Sequence, residues 1–479
     1  MINVFQRLRA QALLQFGARI SGTRFVELSK TPPNAIAVRD KRLEQLLNHA
    51  KNKVPFYSDK IAESNDANQT ALERLAAVPI LTKDHVERNF PDGITDGSDP
   101  ANWRMMSTRG TAQRLVTIQG FAKRDANRAA QLRMLLDSGG YQVGKRKVEI
   151  PPEICEIVCG DEGEKEESVM SFAWNALRTG SWKDKKSLRD LRGLIERQWI
   201  FNTENYTGFG RHGSKPPTDV MQRYVDRLRT DNPFVIKTLA TYLIEIAKFI
   251  RDTDQPPLSI PVIKVMGSRV TPNQRGLIEK WLGGRFWDDY GSAEFGSMAS
   301  ECDRHNGLHI YEDMFVIEIV DDAGQPVPDG VSGWILVTDL MNLAMPLIRY
   351  RIGDVGFIDS TPCQCGRTSP RLTVQGRAHD VLVTAEGAWK THDDVVDFCE
   401  SFPGVDACVV ECRGTDEYKL TVVPKHQERF QKEEFAAAFS NWIRTQARVS
   451  VRTVSTVHAE AGGKFRFVRG NLVSKGKAA

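Results

Sequence analysis

Apolar residues recur along this chain at two different periods, and the change from one to the other divides it. Between Lys41 and Ala50, Leu43, Leu46 and Leu47 fall at three- and four-residue steps, which predicts a helix that ends before Pro55. The same spacing runs through Asn232 to Ile250 (NPFVIKTLATYLIEIAKFI), read as one buried amphipathic helix after an Asn-Pro start. Val262 to Met266 predicts a short strand. Thr271 and Pro272 open a helix through Gly283, and a strand follows near Arg285 to Trp287. Alternating strands and helices of this kind predict an α/β domain with a largely parallel sheet, where ligands collect at the carboxyl ends of the strands.

From Met314 to Val337 the pattern becomes short strands broken by turn signals at Asp321 to Gly324 and Pro326 to Gly330, which predicts a β-rich subdomain. Beyond Gly376 the expected order is a helix around Asp393 to Phe402, strands at Ala407 to Cys412 and Tyr418 to Val423, a helix from Glu433 to Gln446, and a strand near Val449 to Val457. That is enough for a small α+β domain. The expected division is therefore an α/β body over 1–375, with sheets, helices and the β-rich subdomain, and a C-terminal α+β domain over 376–479.

Length agrees with more than one domain, because 479 residues exceed the size at which a single core stops growing. A net charge of +4, with basic residues scattered among acids, argues against nucleic acid as a partner. No stretch reaches the roughly 18 uninterrupted apolar residues of a membrane span. The segment Met1 to Ile20 carries Arg7, Arg9 and Arg19 among Val4, Phe5, Leu8, Leu13 and Leu14; without a continuous apolar core it is read as a helix packed on its own domain. Eight cysteines are too sparse for a disulfide scaffold, so free thiols or metal ligands in a reducing cytoplasm are expected. Gly160 to Glu167 (GDEGEKEE) reads as a solvated loop.

Four segments carry chemistry. Asp289-Tyr290-Gly291-Ser292-Ala293-Glu294 joins a close-approach glycine, an aromatic ring and a carboxylate suited to Mg²⁺ beside phosphates. In Arg349-Tyr350-Arg351-Ile352-Gly353-Asp354 an acid after a glycine turn suits both hydroxyls of a ribose. Gly376-Arg377-Ala378-His379-Asp380 adds a guanidinium for hydroxyl or phosphate groups, and Gly462-Gly463-Lys464 sets a lysine on a softened loop. Cys302 with His309, and Cys363-Gln364-Cys365, offer the four Cys/His donors that a tetrahedral zinc prefers, although the long interval between the pairs leaves this open. His305 and the Cys155/Cys159 pair compete with them, while Cys399, Cys408 and Cys412 sit in patterned segments and read as core.

In that order, these motifs resemble the adenylate-forming (acyl-CoA synthetase-like) superfamily, and within it the phenylacetate-CoA ligase and CapK-like branch. The likeness also takes in Leu46 to Ala50, Val54-Pro55-Phe56-Tyr57, Val78 to Lys83 and Lys464-Phe465-Arg466-Phe467-Val468, and is least over Val143 to Thr230. It implies ATP-dependent activation of a small carboxylic acid as an acyl-adenylate, then transfer to coenzyme A. An amine or carrier protein as acceptor, adenylylation of a hydroxyl, and a non-catalytic nucleotide-binding member are the other readings, with a homodimer as the assembly entertained.

By the same resemblance Asp289, Tyr290, Gly291 and Ser292 adjoin the nucleotide and the acyl group, Glu294 holds Mg²⁺, Asp354 the ribose, and Arg377 the ribose or phosphate. Lys464 reaches the carboxylate and the α-phosphate. His379 and Asp380 form the hinge of a swinging C-terminal domain. The phosphate loop falls on Ser107, Thr108, Gly110 and Thr111, and departs from the family pattern at Arg109, Ala112, Gln113 and Arg114. Ala293 stands where a Thr is usual, and His379 where an acid or a lysine is usual. The branch also implies a structural zinc on Cys302, His309, Cys363 and Cys365.

Overall fold

The computed structural model describes the chain except residues 1, 22–24, 63–68, 108–114, 152–167, 184, 207, 209–215, 266–269, 385, 387, 414–416, 427–428, 445, 458–465 and 471–479. It packs as two compact units, Met1–Val26 with Leu135–Asp288, and Glu27–Met134 with Asp289–Ala479.

In chain order, the first strands are β1 (Arg104–Ser107) and β2 (Val116–Gln119), an antiparallel pair of the second unit that brackets residues 108–114. The first unit is built on a parallel sheet of β3 (Lys147–Ile150), β4 (Thr203–Asn205), β5 (Val235–Thr238), β6 (Val262–Val265) and β7 (Arg285–Phe286), in the order β4-β3-β5-β6-β7. Helices Thr218–Asp231, Ala240–Asp252 and Pro272–Leu282 supply its core with Val225, Leu243, Ile246 and Ile278, packed on Val148, Ile236 and Ile263. The parallel α/β expectation is met, and one element changes identity. The apolar run after Asn232 is not continuous helix: Val235–Thr238 is a strand, and the helix starts at Ala240. Asn232 takes a left-handed conformation (φ 41°) that caps the preceding helix, and a four-residue buried run between caps cannot be told from a helical turn by periodicity alone.

The helix expected after Thr271-Pro272 forms through a capping box between Thr271 and Gln274 and ends on left-handed Gly283 (φ 79°). The N-terminal segment is helical over Ile2–Ser21 and packs only through part of its apolar positions: Ala10 is buried, Leu13 and Leu14 are half-buried and Arg9 lies over the Trp199 ring, whereas Val4, Phe5 and Leu8 are exposed.

The second unit contains a seven-stranded antiparallel sheet in the order β11-β12-β13-β14-β10-β9-β8. Its strands are β8 (Asp289–Ser292), β9 (Gly296–Glu301), β10 (Leu308–Ile310), β11 (Phe315–Val320), β12 (Gly333–Asp339), β13 (Tyr350–Asp359) and β14 (Arg371–Arg377). Helix Ala35–Lys53 buries Leu43, Leu46, Leu47 and Ala50, as its period predicts, and gives way to a 3₁₀ turn at Pro55. After a single 3₁₀ turn at Ala378–Asp380, β15 (Leu382–Val383) and β16 (Trp389–Lys390) form a short ribbon. A further sheet in the order β19-β18-β17-β20 follows, from β17 (Val405–Arg413), β18 (Glu417–Pro424), β19 (Arg448–Thr453) and β20 (Val468–Arg469). Helices His392–Ser401 and Lys432–Ile443 cover it. Phe435, Phe439, Val410, Leu420 and Val396 make a hydrophobic cluster of their own there, with Cys399 and Cys408 buried in it.

No helix among the described residues is long and apolar enough to cross a membrane.

Candidate active site

The Tyr290, Asp354 and Arg377 motifs come together in the second unit because β13 and β14 pair in a register that sets Asp354 opposite Arg377. Arg377 Nε lies 3.0 Å from Asp354 Oδ1, and its Nη1 donates to the Ile352 carbonyl at 3.2 Å. The other carboxylate oxygen accepts from the Tyr290 hydroxyl at 2.6 Å. Burial, reinforced by the Asp354 charge, pushes the Tyr290 phenol well above its ordinary value, so it stays a donor throughout the neutral range. A carboxylate has about four lone-pair directions, and two are used here, which leaves capacity for a pair of hydroxyls.

Glycine at 291 is required by proximity: a Cβ there would stand 2.6 Å from the Gly296 carbonyl oxygen on β9. Ser292 Oγ accepts from the Phe295 N–H at 3.3 Å and closes the turn that carries Glu294. Glu294 is half-buried, and its charge acts on Tyr290, Tyr350 and Arg377. Its carboxylate has no ion-pair partner among the described residues, a donor state that suits a hard cation such as Mg²⁺. Asp289 is half-buried at the start of β8. Ser107 is exposed at the end of β1, while Thr108, Gly110 and Thr111 lie outside the described residues, as do Lys464 and the Cys155/Cys159 pair.

Sequence reading assigned no role to the supports of these motifs. Arg349 (φ 48°) donates to the carbonyls of Ala76 and Val78 at 2.9 and 2.8 Å and to Glu318 at 3.1 Å. Leu81 exchanges backbone hydrogen bonds with Arg349 and Arg351, so the Val78 to Lys83 segment is a strap along the start of β13, the strand that carries Asp354. Residues so distant in sequence give no local signal.

At the expected hinge, the His379 carbonyl accepts from the Gly470 N–H at 2.7 Å and from Arg466 Nη2 at 3.2 Å, and Arg466 Nε meets Asp380 Oδ1 at 2.7 Å. Burial holds the His379 imidazole below its ordinary value despite Asp380, so this histidine is neutral at pH 7.

Cys302, His309, Cys363 and Cys365 converge, with their donor atoms all within 4.8 Å of one another. Cys302 Sγ and Cys363 Sγ are 3.8 Å apart, and His309 Nε2 is 3.3 Å from Cys365 Sγ. With Zn–S near 2.3 Å and Zn–N near 2.0 Å, a tetrahedral shell has edges of roughly 3.8 and 3.5 Å, so the donors stand close to bonding positions. His309 Nδ1 faces the Ser369 carbonyl at 3.0 Å, which fixes the ring with Nε2 toward the cluster. The Cys-x-Cys turn closes by Gly366 N–H to the Cys363 carbonyl, with Gly366 at φ 83°. His305 instead meets Glu301 at 2.8 Å. Burial pushes the Cys302 thiol up to about 11, so a bare cluster is not a ready-made set of thiolates.

No protein-family model matches the chain. Among curated proteins, the phenylacetate-coenzyme A ligase of Thermus thermophilus is 25% identical over 377 residues, 74% of this chain and 74% of that one. The phenylacetate-coenzyme A ligase of Pseudomonas putida is 26% identical over 360 residues, 72% of each chain. Among solved structures, 2-hydroxyisobutyryl-CoA ligase in its postadenylation state aligns over 94% of both chains with a TM-score of 0.65 at 19% identity. An anthranilate CoA ligase in complex with anthranoyl-AMP gives 0.50 at 15% identity, over 78% of this chain and 66% of that one. The fold is the one these acyl-CoA ligase structures share. Among curated proteins, then, the chain is similar over about three quarters of its length to phenylacetate-coenzyme A ligases.

Proposed function

We propose that this chain activates a small carboxylic acid with MgATP as an acyl-adenylate and passes the acyl group to coenzyme A. The observation that carries the reading is the Asp354 carboxylate, held on one side by Tyr290 and on the other by Arg377, with Glu294 free to take a cation nearby. In the first half-reaction a carboxylate oxygen attacks the α-phosphorus, the bond to the β-phosphate oxygen breaks, and pyrophosphate leaves. In the second, the thiol sulfur attacks the acyl carbon, the thiol proton is lost, and AMP departs. Two anions must meet in the first step, which is favourable only beside positioned cations. Arg377 and Lys464 are assigned that task on this chain, and Mg²⁺ on Glu294 would neutralise phosphate charge.

The C-terminal layer beyond Gly376 is assigned as a mobile domain, supported by its separate hydrophobic cluster and its single 3₁₀ turn of connection. Zinc is assigned to the Cys302, His309, Cys363 and Cys365 cluster as a structural ion. Free thiols throughout this set suit a reducing cytoplasm.

The test is pyrophosphate exchange with a panel of aryl and acyl acids, followed by discharge of the bound adenylate with coenzyme A, amines and carrier proteins. Acid-dependent exchange and discharge by coenzyme A are expected. No exchange with any acid would overturn the reading, and discharge by an amine alone would move the chain to amide synthesis.

A further inference from the structure

The turn that presents Glu294 is held from beneath by a polar ladder that the reaction as described does not use. Lys123, on helix Phe121–Leu136, is 1% exposed; its Nζ donates to the Phe295 carbonyl at 2.7 Å and lies 2.6 Å from Asp339 Oδ2, itself 1% exposed on β12. Gln119, at the end of β2, directs its Nε2 at the carbonyls of Ala293 and Glu294, 3.5 Å from each. Asn127, one helical turn beyond Lys123, donates to Gln119 Oε1 at 3.2 Å and sits under Gly296, where a Cβ would come within 2.6 Å of its Oδ1. Three consecutive carbonyls, 293 to 295, therefore face donors from Gln119 and Lys123.

A buried ion pair contributes little net stability relative to apolar packing, because desolvating both charges offsets their attraction. Burial moves Lys123 down and Asp339 up from their ordinary values, and the attraction between the two opposes it. Stability is thus a poor account of why an ammonium sits in this core; its aim at the carbonyl beside Glu294 is a better one. Lys also brings three donors on one tip, enough for the carboxylate and the turn together.

We propose that Lys123, locked by Asp339 and assisted by Gln119, is a positioning residue that fixes the Glu294 carboxylate for the divalent cation of the nucleotide complex. This rests on the assignment of Glu294 as that cation's ligand. Such outer supports of metal-binding carboxylates typically change cation affinity by about tenfold to a hundredfold when removed.

The experiment replaces the pair as a unit, K123M with D339L, so that no lone charge is left in the core, and measures Mn²⁺ affinity by electron paramagnetic resonance with a non-hydrolysable ATP analogue. Cation affinity should fall at least tenfold, while the affinity for the analogue without metal stays within about twofold and the thermal midpoint stays near that of the parent. Gln119→Met, which loosens the same turn without touching a buried charge, should weaken Mn²⁺ roughly threefold, at the lower end of a single hydrogen bond's contribution, and keeps the test open if the double variant fails to fold. Unchanged Mn²⁺ affinity in either folded variant overturns the proposal. Glu294→Ala separates the two ideas: if it too leaves Mn²⁺ affinity unchanged, the assignment of Glu294 has failed, and with it the positioning role.

Discussion

The Tyr290 hydroxyl donates to Asp354 at 2.6 Å across two strands that are not neighbours in the sheet. It fixes the carboxylate on one side as Arg377 does on the other, so neither oxygen is free to rotate away.

Removing that hydroxyl should therefore loosen nucleotide binding rather than abolish it. A hydrogen bond to a charged group contributes roughly 1.5 to 3 kcal/mol, of which preorganisation is a part, so Tyr290→Phe is expected to weaken AMP binding about three- to tenfold by calorimetry. Because the phenol's proton is held well above its ordinary range, this difference should be flat between pH 7 and 9. Growth or loss of the difference across that window would contradict the assignment of Tyr290 as the donor.

The thiol and imidazole cluster should bring about one zinc per chain through purification, measured by elemental analysis. Cys363→Ser breaks the Cys-x-Cys turn that faces Cys302, and the loss should appear as lower soluble yield and a lower thermal midpoint before any change in pyrophosphate exchange per folded molecule. Normal stability together with lost zinc would remove the structural role.

Lys464 is assigned by resemblance, and Arg466, two residues on, is tied to Asp380 and the His379 carbonyl. Lys464→Ala should suppress acid-dependent pyrophosphate exchange on the order of a hundredfold or more and change ATP affinity far less. Exchange near the parent rate would mark it as a surface lysine.

Arg466→Gln should loosen the hinge grip. Exposed ion pairs contribute about 1 kcal/mol or less, and this one is three-quarters buried with one further hydrogen bond, to the His379 carbonyl, so a change of roughly fivefold in the ratio of adenylation to thioester formation is expected. Stopped-flow measurement of each half-reaction reads it, and an unchanged ratio would detach Arg466 from domain motion.

Much of this was legible in the sequence because its signals are short. Capping at Thr271 and Gly283, the leucine stripe of helix Ala35–Lys53 and the Cys-x-Cys turn each depend on residues a few positions apart. Asn232 to Ile250 was misread because strand and helix are both satisfied by a short apolar run, and burial on a parallel sheet decided between them. Lys123 with Asp339, and Arg349 with the Val78 carbonyl, pair across long stretches of chain. In sequence, Lys123 is one cation among many on a polar helix, and only the fold reveals that it is buried.

Between Arg377 and His379 the chain is gripped twice: Arg377 by Asp354 on the antiparallel sheet, and the His379 carbonyl by Gly470 and Arg466 at the far end of the chain. What lies between the two grips is Ala378, buried against Val355 and Val381. On the proposed mobility of the C-terminal layer, so short a connection would act as a pin joint rather than a tether. Two torsions of one small residue allow few trajectories, so the C-terminal layer would turn along a narrow arc between defined stops instead of searching space on a loose string.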